Sequence, residues 1–202
     1  MLELDHLAVG CESLEAGRDW VEAALGCALQ PGGQHAHFGT HNLLLGLEHG
    51  HYLEVIAVDP VAPPLGYARW FDLDRFTGPP RLSNWICRTP DLPAALKALP
   101  EAGIAVALSR GDLRWQMAVP RDGALSHDNC APAVMMWEGA AHPAARLAAS
   151  GITLRRLTVR HPEAAVLAAR LAPHFADDRI AFETGQAALH AAFETPWGAR
   201  AL

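Results

Sequence analysis

One order of elements, a strand, a helix and then three strands, can be traced three times along this chain of 202 residues. Such a unit leaves sheet edges open, so its repetition implies that copies pair and build a larger sheet. In the first copy, residues 1–60, LELDHLAV alternates as a half-buried strand. Ser13 can cap a helix through LEAGRDWVEAAL, with Leu14, Trp20, Val21 and Leu25 toward one face and Gly26 as its left-handed stop. CALQ, a break at Gly32 and Gly33, THNLLLGL, a turn around His49-Gly50 and YLEVIAV complete the unit.

A second copy covers residues 82–139: LSNWICR, a short helix LPAALKAL opened by Asp91 or Thr89, then GIAVAL, LRWQMAVP and APAVMMWEG. A third and weaker copy covers residues 152–202, where alanine leaves QAALHAAF open between strand and helix. Residues 61–81, between the first two copies, carry no strand or helix period, and loops of that length tend to be lids or linkers. Tyr67, Trp70, Phe71 and Phe76 make this segment too apolar for an idle linker, so its aromatics either pack under the sheet or roof a pocket. The expected fold class is α+β, with repeated βαβββ units forming a curved mixed sheet in one compact domain.

Half of the residues are hydrophobic and 19% are charged, which supplies a real core and sets disorder aside. A formal charge of −6 argues against a nucleic-acid partner, and Arg155, Arg156 and Arg160 read as a solvated face. Neither a bilayer-length apolar run nor a basic leader is readable, so the expectation is a cytoplasmic protein with no membrane partner. Cys11, Cys27, Cys87 and Cys130 stand singly, as reduced structural thiols do. There is no G-x-S-x-G elbow, phosphate loop, H-E-x-x-H or dinucleotide fingerprint.

Glu54 is the residue that calls for a reason, because it interrupts the apolar run YLEVIAV. A strand carboxylate commonly faces water. Here its same-face neighbours Tyr52 and Ile56 are apolar, and a turn centred on His49-Gly50 sets Leu45 opposite Glu54 and His41 opposite Val58. That register puts His41 on the face of Glu54 but about 13 Å along the strand, which suits substrate contact or strand capping rather than a shared metal shell. His35 and His37 read as surface histidines of a glycine-flanked loop.

The paired units, with His6 in LDHLAV and Glu54 in YLEVIAV, resemble the vicinal oxygen chelate superfamily of glyoxalases, resistance proteins and extradiol dioxygenases. GTHNLLLGL, YLEVIAVDP, RWFDLDR and LRWQMAVP are similar to bacterial glyoxalase-like domain proteins. The resemblance implies that the fourth strand lies beside the first, bringing His6 next to Glu54 as ligands of a divalent metal. It also implies ligands from the second copy. There, aligning the helix starts sets the weak ligand Asn84 against His6, and Glu138 is out of register with Glu54.

Two functions follow as expectations. One is a metal-dependent lyase, isomerase or oxygenase acting on a small oxygen-rich or carbonyl metabolite, with Glu54 catalytic and His41, Trp70, Asn84 and Trp115 contacting the substrate. The other is a metal-free protein that sequesters a small molecule under the aromatic segment. The odd number of units also allows a homodimer in which the third copy pairs across a two-fold axis.

Overall fold

The computed structural model describes residues Met1–Leu202. Strand β1 (Glu3–Gly10) leads into helix α1 (Leu14–Leu25), whose ends follow the sequence: Ser13 Oγ accepts from Ala16 N, and Gly26 ends the helix at φ 71°. Gly17, Val21 and Leu25 form its buried stripe. A methyl group on Gly17 would fall 2.5 Å from Val55 Cγ1, so this glycine sets how closely the helix approaches the sheet.

Strands β2 (Gln30–His35), β3 (Thr40–Gly46) and β4 (Tyr52–Val58) follow. The second unit supplies β5 (Arg81–Arg88), α2 (Leu92–Ala98), β6 (Ile104–Arg110), β7 (Leu113–Val119) and β8 (Ala133–Trp137). Both units join one eight-stranded mixed sheet in the order β2-β3-β4-β1-β5-β8-β7-β6. The first and fourth strands of each unit run parallel, and β1 pairs antiparallel with β5, which relates the halves by an approximate two-fold.

Two local expectations are corrected. Gly32 and Gly33 do not break the chain; β2 runs through them with a register shift against β3. The β3–β4 hairpin pairs Leu44 with Glu54 and His41 with Ala57, one residue away from the expected register. A five-residue turn, closed by Leu47 N donating to His51 O, accounts for the difference. A one-residue slip exchanges the faces of a strand, so His41 stands on the face opposite Glu54 and Asn42 takes its place.

The third segment repeats the element order with another topology. Strands β9 (Thr153–Arg160) and β10 (Ile180–Glu183) pair in parallel through helix α3 (Ala164–Leu171). Strands β11 (Ala188–Thr195) and β12 (Gly198–Ala201) complete a separate sheet in the order β10-β9-β11-β12. The segment QAALHAAF is therefore mostly strand.

Leu154, Leu157 and Val159 of β9 and Leu189 and Phe193 of β11 bury with Leu7, Val9, Leu53, Val55 and Trp85 on the outer face of the large sheet. Each such side chain contributes about 1.5–3 kcal/mol by leaving water. The apolar face of the third segment is thus used inside the chain, which removes an unpaired copy as the reason for a dimer. No helix is long and apolar enough to cross a membrane.

Candidate functional site

The inner face of the eight-stranded sheet carries a second apolar cluster that includes Ile56, Ile86, Trp115, Met117 and Met135. Trp70 and Phe71 of the inter-unit segment, 3% and 5% exposed, roof it. The expected alternatives for this segment therefore coincide, because its aromatics are buried and also line a cavity. Trp70 stacks on Phe38 and its indole N–H donates to Thr40 Oγ1 at 3.3 Å. Tyr67 stays half exposed against His37, and Phe76 lies beneath the Arg81 guanidinium.

Polar groups enter this apolar cup through a β-bulge. Leu4 pairs with Cys87 and His6 with Ile86, which leaves Asp5 as the extra residue of β1. Asp5 Oδ1 sits 2.7 Å from His6 Nδ1, and its Oδ2 accepts from Trp137 Nε1 and His142 Nε2, each at 3.0 Å. The His6 ring stacks on Tyr52 with centroids 4.2 Å apart. With Nδ1 held by Asp5, Nε2 faces Glu54 Oε2 at 3.6 Å, so the strand neighbourhood expected for His6 and Glu54 exists. Asn42 Nδ2 donates to Glu54 Oε1 at 2.5 Å.

These contacts set the charges. Burial by itself would strip the proton from His6, but the hydrogen bonds and charges of Asp5 and Glu54 outweigh it and push the imidazole up to about 9. Burial would likewise raise Glu54, yet His6 and Asn42 hold it at about 2. Asp5 lies well below the usual carboxylate range, its burial outweighed by His142 and His6. At neutral pH the resting site is a buried carboxylate, imidazolium and carboxylate in a row.

The mouth of the cup lies between the two edge strands. Arg110 of β6 reaches across to β2 and β3, where NH1 donates to His35 Nε2 and to Asn42 Oδ1, both at 3.1 Å. His35 is 5% exposed, which corrects its expected place on a surface loop. Its Nδ1 bonds Thr40 Oγ1 at 3.0 Å, and burial with the nearby Arg110 charge lowers it to about 4, so the ring is neutral at pH 7. The inner cavity is about 30 Å³, roughly the space of one water. An outer groove of about 410 Å³ adjoins it and shares His35 and Trp115 with it.

A divalent metal would need donors beyond His6 and Glu54, and the two-fold shows what the other half offers. On β5, Ala8 pairs with Asn84 and Val9 with Leu82, so Ser83 is a bulge matching Asp5 and Asn84 matches His6. Ser83 Oγ sits 2.9 Å from Asn84 Oδ1, as Asp5 sits against His6. Ala8 faces Glu54 in the first half, and its counterpart Ile86 faces Ala133 in the second. Ala133 therefore stands where a second carboxylate would be, and Asn84 Nδ2 is buried with no partner. Glu138 instead accepts from Gln116 among exposed residues. No three His, Cys, Asp or Glu side chains converge to hold a metal, so these donors do not fit a four-ligand centre.

Of the expected site residues, the fold brings His6, Glu54, Trp70 and Trp115 around one cavity and sets Asn84 on the same sheet face, while His41 lies on the other face. Asp5, His35, Asn42 and Arg110 were not anticipated. Asn42 follows from the hairpin once its register is known; the sequence carries no sign of the bulge at Asp5 or of the long reach of Arg110. Burial pushes the Cys11 thiol up to about 12, which agrees with its reading as a reduced structural thiol.

A family model described as "Glyoxalase-like domain" matches residues 4–175. A crystal structure of a hypothetical protein from Staphylococcus aureus is similar at 14% identity, covering 93% of this chain and 88% of that one with a TM-score of 0.63. Methylmalonyl-CoA epimerase from Mycobacterium tuberculosis is similar at 22% identity over 70% of this chain and 91% of that one, with a TM-score of 0.45. No curated protein matches in sequence.

Proposed function

The chain belongs to the glyoxalase-like domain family, and from that premise we propose that it is a vicinal oxygen chelate enzyme moving a proton at the carbon beside a carbonyl in a small metabolite. The observation that carries this reading is the buried Asp5, His6 and Glu54 row, whose last contact is loose at 3.6 Å.

A carboxylate held at about 2 is a poor base while the imidazolium faces it. A substrate carbonyl that accepts the His6 Nε2 proton in a hydrogen bond takes that partner away. Loss of that hydrogen bond removes one of the effects that lower Glu54 while burial still raises it, so substrate binding itself makes the carboxylate a stronger base. Glu54 removes the proton from the adjacent carbon, the electron pair moves onto the carbonyl oxygen, and the His6 imidazolium stabilises the resulting enolate. Return of the proton to the same or a neighbouring carbon gives epimerisation or isomerisation. Asp5 holds the imidazole in orientation, Asn42 holds Glu54, and Trp70 and Phe71 keep water out. Trp115 and the free Asn84 amide are assigned to substrate contact.

Deuterium incorporation from D₂O beside the carbonyl of 2-oxobutyrate and hydroxyacetone, followed by proton NMR, tests this. Exchange is expected in the natural protein and is lowered about 10²- to 10⁴-fold in Glu54→Gln. Undiminished exchange in the variant would overturn the assignment. The Asn84 and Ala133 positions favour one other reading, a metal-free sequestering protein, which predicts saturable binding with no exchange and no metal by elemental analysis.

A further inference from the structure

Arg110 is a partly buried cation without an anion. The ion pairs of this region join His6 to Asp5 and Glu54, and Arg88 and His142 to Asp5, while Arg110 bonds only the neutral acceptors His35 Nε2 and Asn42 Oδ1. Both bonds use the same terminal nitrogen, NH1, and leave the Nε and NH2 side of the guanidinium fork free of protein hydrogen bonds. That side is the one that meets a carboxylate with two parallel bonds, which are stronger than bonds to neutral acceptors.

The chain makes room for this side chain. A methyl group on Gly33 would fall 2.6 Å from Arg110 Cδ, and Asn42 Oδ1 is further anchored by Gly33 N at 2.8 Å. Arg110 lines the inner cavity, and its partner His35 lines both that cavity and the outer groove. Inside lies a cavity of about 30 Å³ containing Glu54, and outside lies a groove of about 410 Å³ lined by Ala36, His37, Ala107, Leu108 and Ser109, with no carboxylate among them. The inner cavity admits a molecule larger than water only if its walls move, and the latch from Arg110 to His35 is the wall that it shares with the outer groove through His35.

We propose that Arg110 is a specificity residue that recognises a carboxylate, so that the molecule handled in this cup is a short oxo acid. Its carboxylate draws the guanidinium away from His35 and Asn42 and opens the mouth, its carbonyl passes toward His6, and any uncharged remainder lies in the outer groove. Asn42 keeps its bond to Glu54 throughout, so the base stays in place while the latch moves. The choice of oxo acid rests on the carbonyl reading above; the need for a carboxylate rests on Arg110 alone.

The test compares 2-oxobutyrate with pentane-2,3-dione, a neutral diketone of the same size in which a methyl group replaces one carboxylate oxygen. Binding is read by fluorescence of Trp70 and Trp115 and by thermal shift. The acid is expected to bind saturably and about tenfold or more tighter than the dione. Arg110→Gln should lose that preference by weakening the acid alone, and Arg110→Lys should recover part of it; melting curves establish that both variants are folded. Equal binding of the two compounds, undiminished acid binding in Arg110→Gln, or no saturable binding of the acid would each overturn the proposal. Arg110-dependent binding without deuterium exchange leaves the carboxylate site standing and sinks proton transfer, whereas exchange indifferent to Arg110 does the reverse.

Discussion

Asp5 and His6 are consecutive residues of one strand, yet their side chains are hydrogen bonded to each other at 2.7 Å instead of pointing to opposite faces. The bulge in β1 makes this geometry, and it turns an ordinary strand histidine into an imidazolium held between two carboxylates.

Asp5→Asn should destabilise the protein by about 3–5 kcal/mol, because it removes one charge from a fully buried pair and leaves the other without it. Asp5 is 0% exposed, so water cannot replace the lost charge. The check is the urea midpoint, together with an NMR titration in which the His6 pKa falls. An unchanged midpoint and titration would show that the bulge, rather than the carboxylate, positions the ring.

Stability should decline on the alkaline side. His6 binds its proton more tightly when folded, at about 9 against an ordinary 6.5, so its contribution is complete below pH 6.5 and is lost as pH rises through 9. That contribution is on the order of 3 kcal/mol. Asp5 and Glu54 stay charged and Tyr52, raised by burial, stays neutral across this range, while His35, lowered to about 4, adds stability only as pH rises through its ordinary 6.5. On the acid side, Glu54 contributes fully above its ordinary 4.5 and loses this as pH falls through about 2. Chemical denaturation at pH 7.5, 8.5 and 9.5, above the range in which His35 opposes the trend, reads the alkaline arm, and a flat profile would contradict the ion pair.

Asn84→Leu should leave stability unchanged or raise it by about 1–3 kcal/mol, since a buried amide with an unpaired Nδ2 carries a desolvation cost that an apolar side chain of similar size does not. The same variant should weaken oxo-acid binding if the free amide meets the ligand. A large loss of stability would mean that the Ser83 hydroxyl bonded to Asn84 Oδ1 outweighs the unpaired Nδ2.

Gly32→Ala should disturb the cup from outside it. The new methyl group would lie 2.0 Å from Asn42 Oδ1 and 2.8 Å from its backbone oxygen, so β2 and β3 must shift apart. A cost of about 1–3 kcal/mol is expected, along with a changed Glu54 pKa measured by carboxyl-carbon NMR. An unaltered Glu54 titration would show that Asn42 adapts without moving its amide.

The chain itself determined the alternation of strands and helices, the Ser13 cap and the Gly26 stop, because these depend on local conformational preference and on periods of two and 3.6 residues, while the adjacency of the His6 and Glu54 strands was implied by the family resemblance. Only the tertiary structure decided which side chains join that pair. A turn of five residues moved the hairpin register by one and exchanged His41 for Asn42, a bulge set by pairing with β5 brought in Asp5, and curling of the sheet carried Arg110 from one edge strand to His35 at the other. The β3 strand THNLLLG is compatible with either register on its own, and the choice falls to whichever set of faces the whole core can bury.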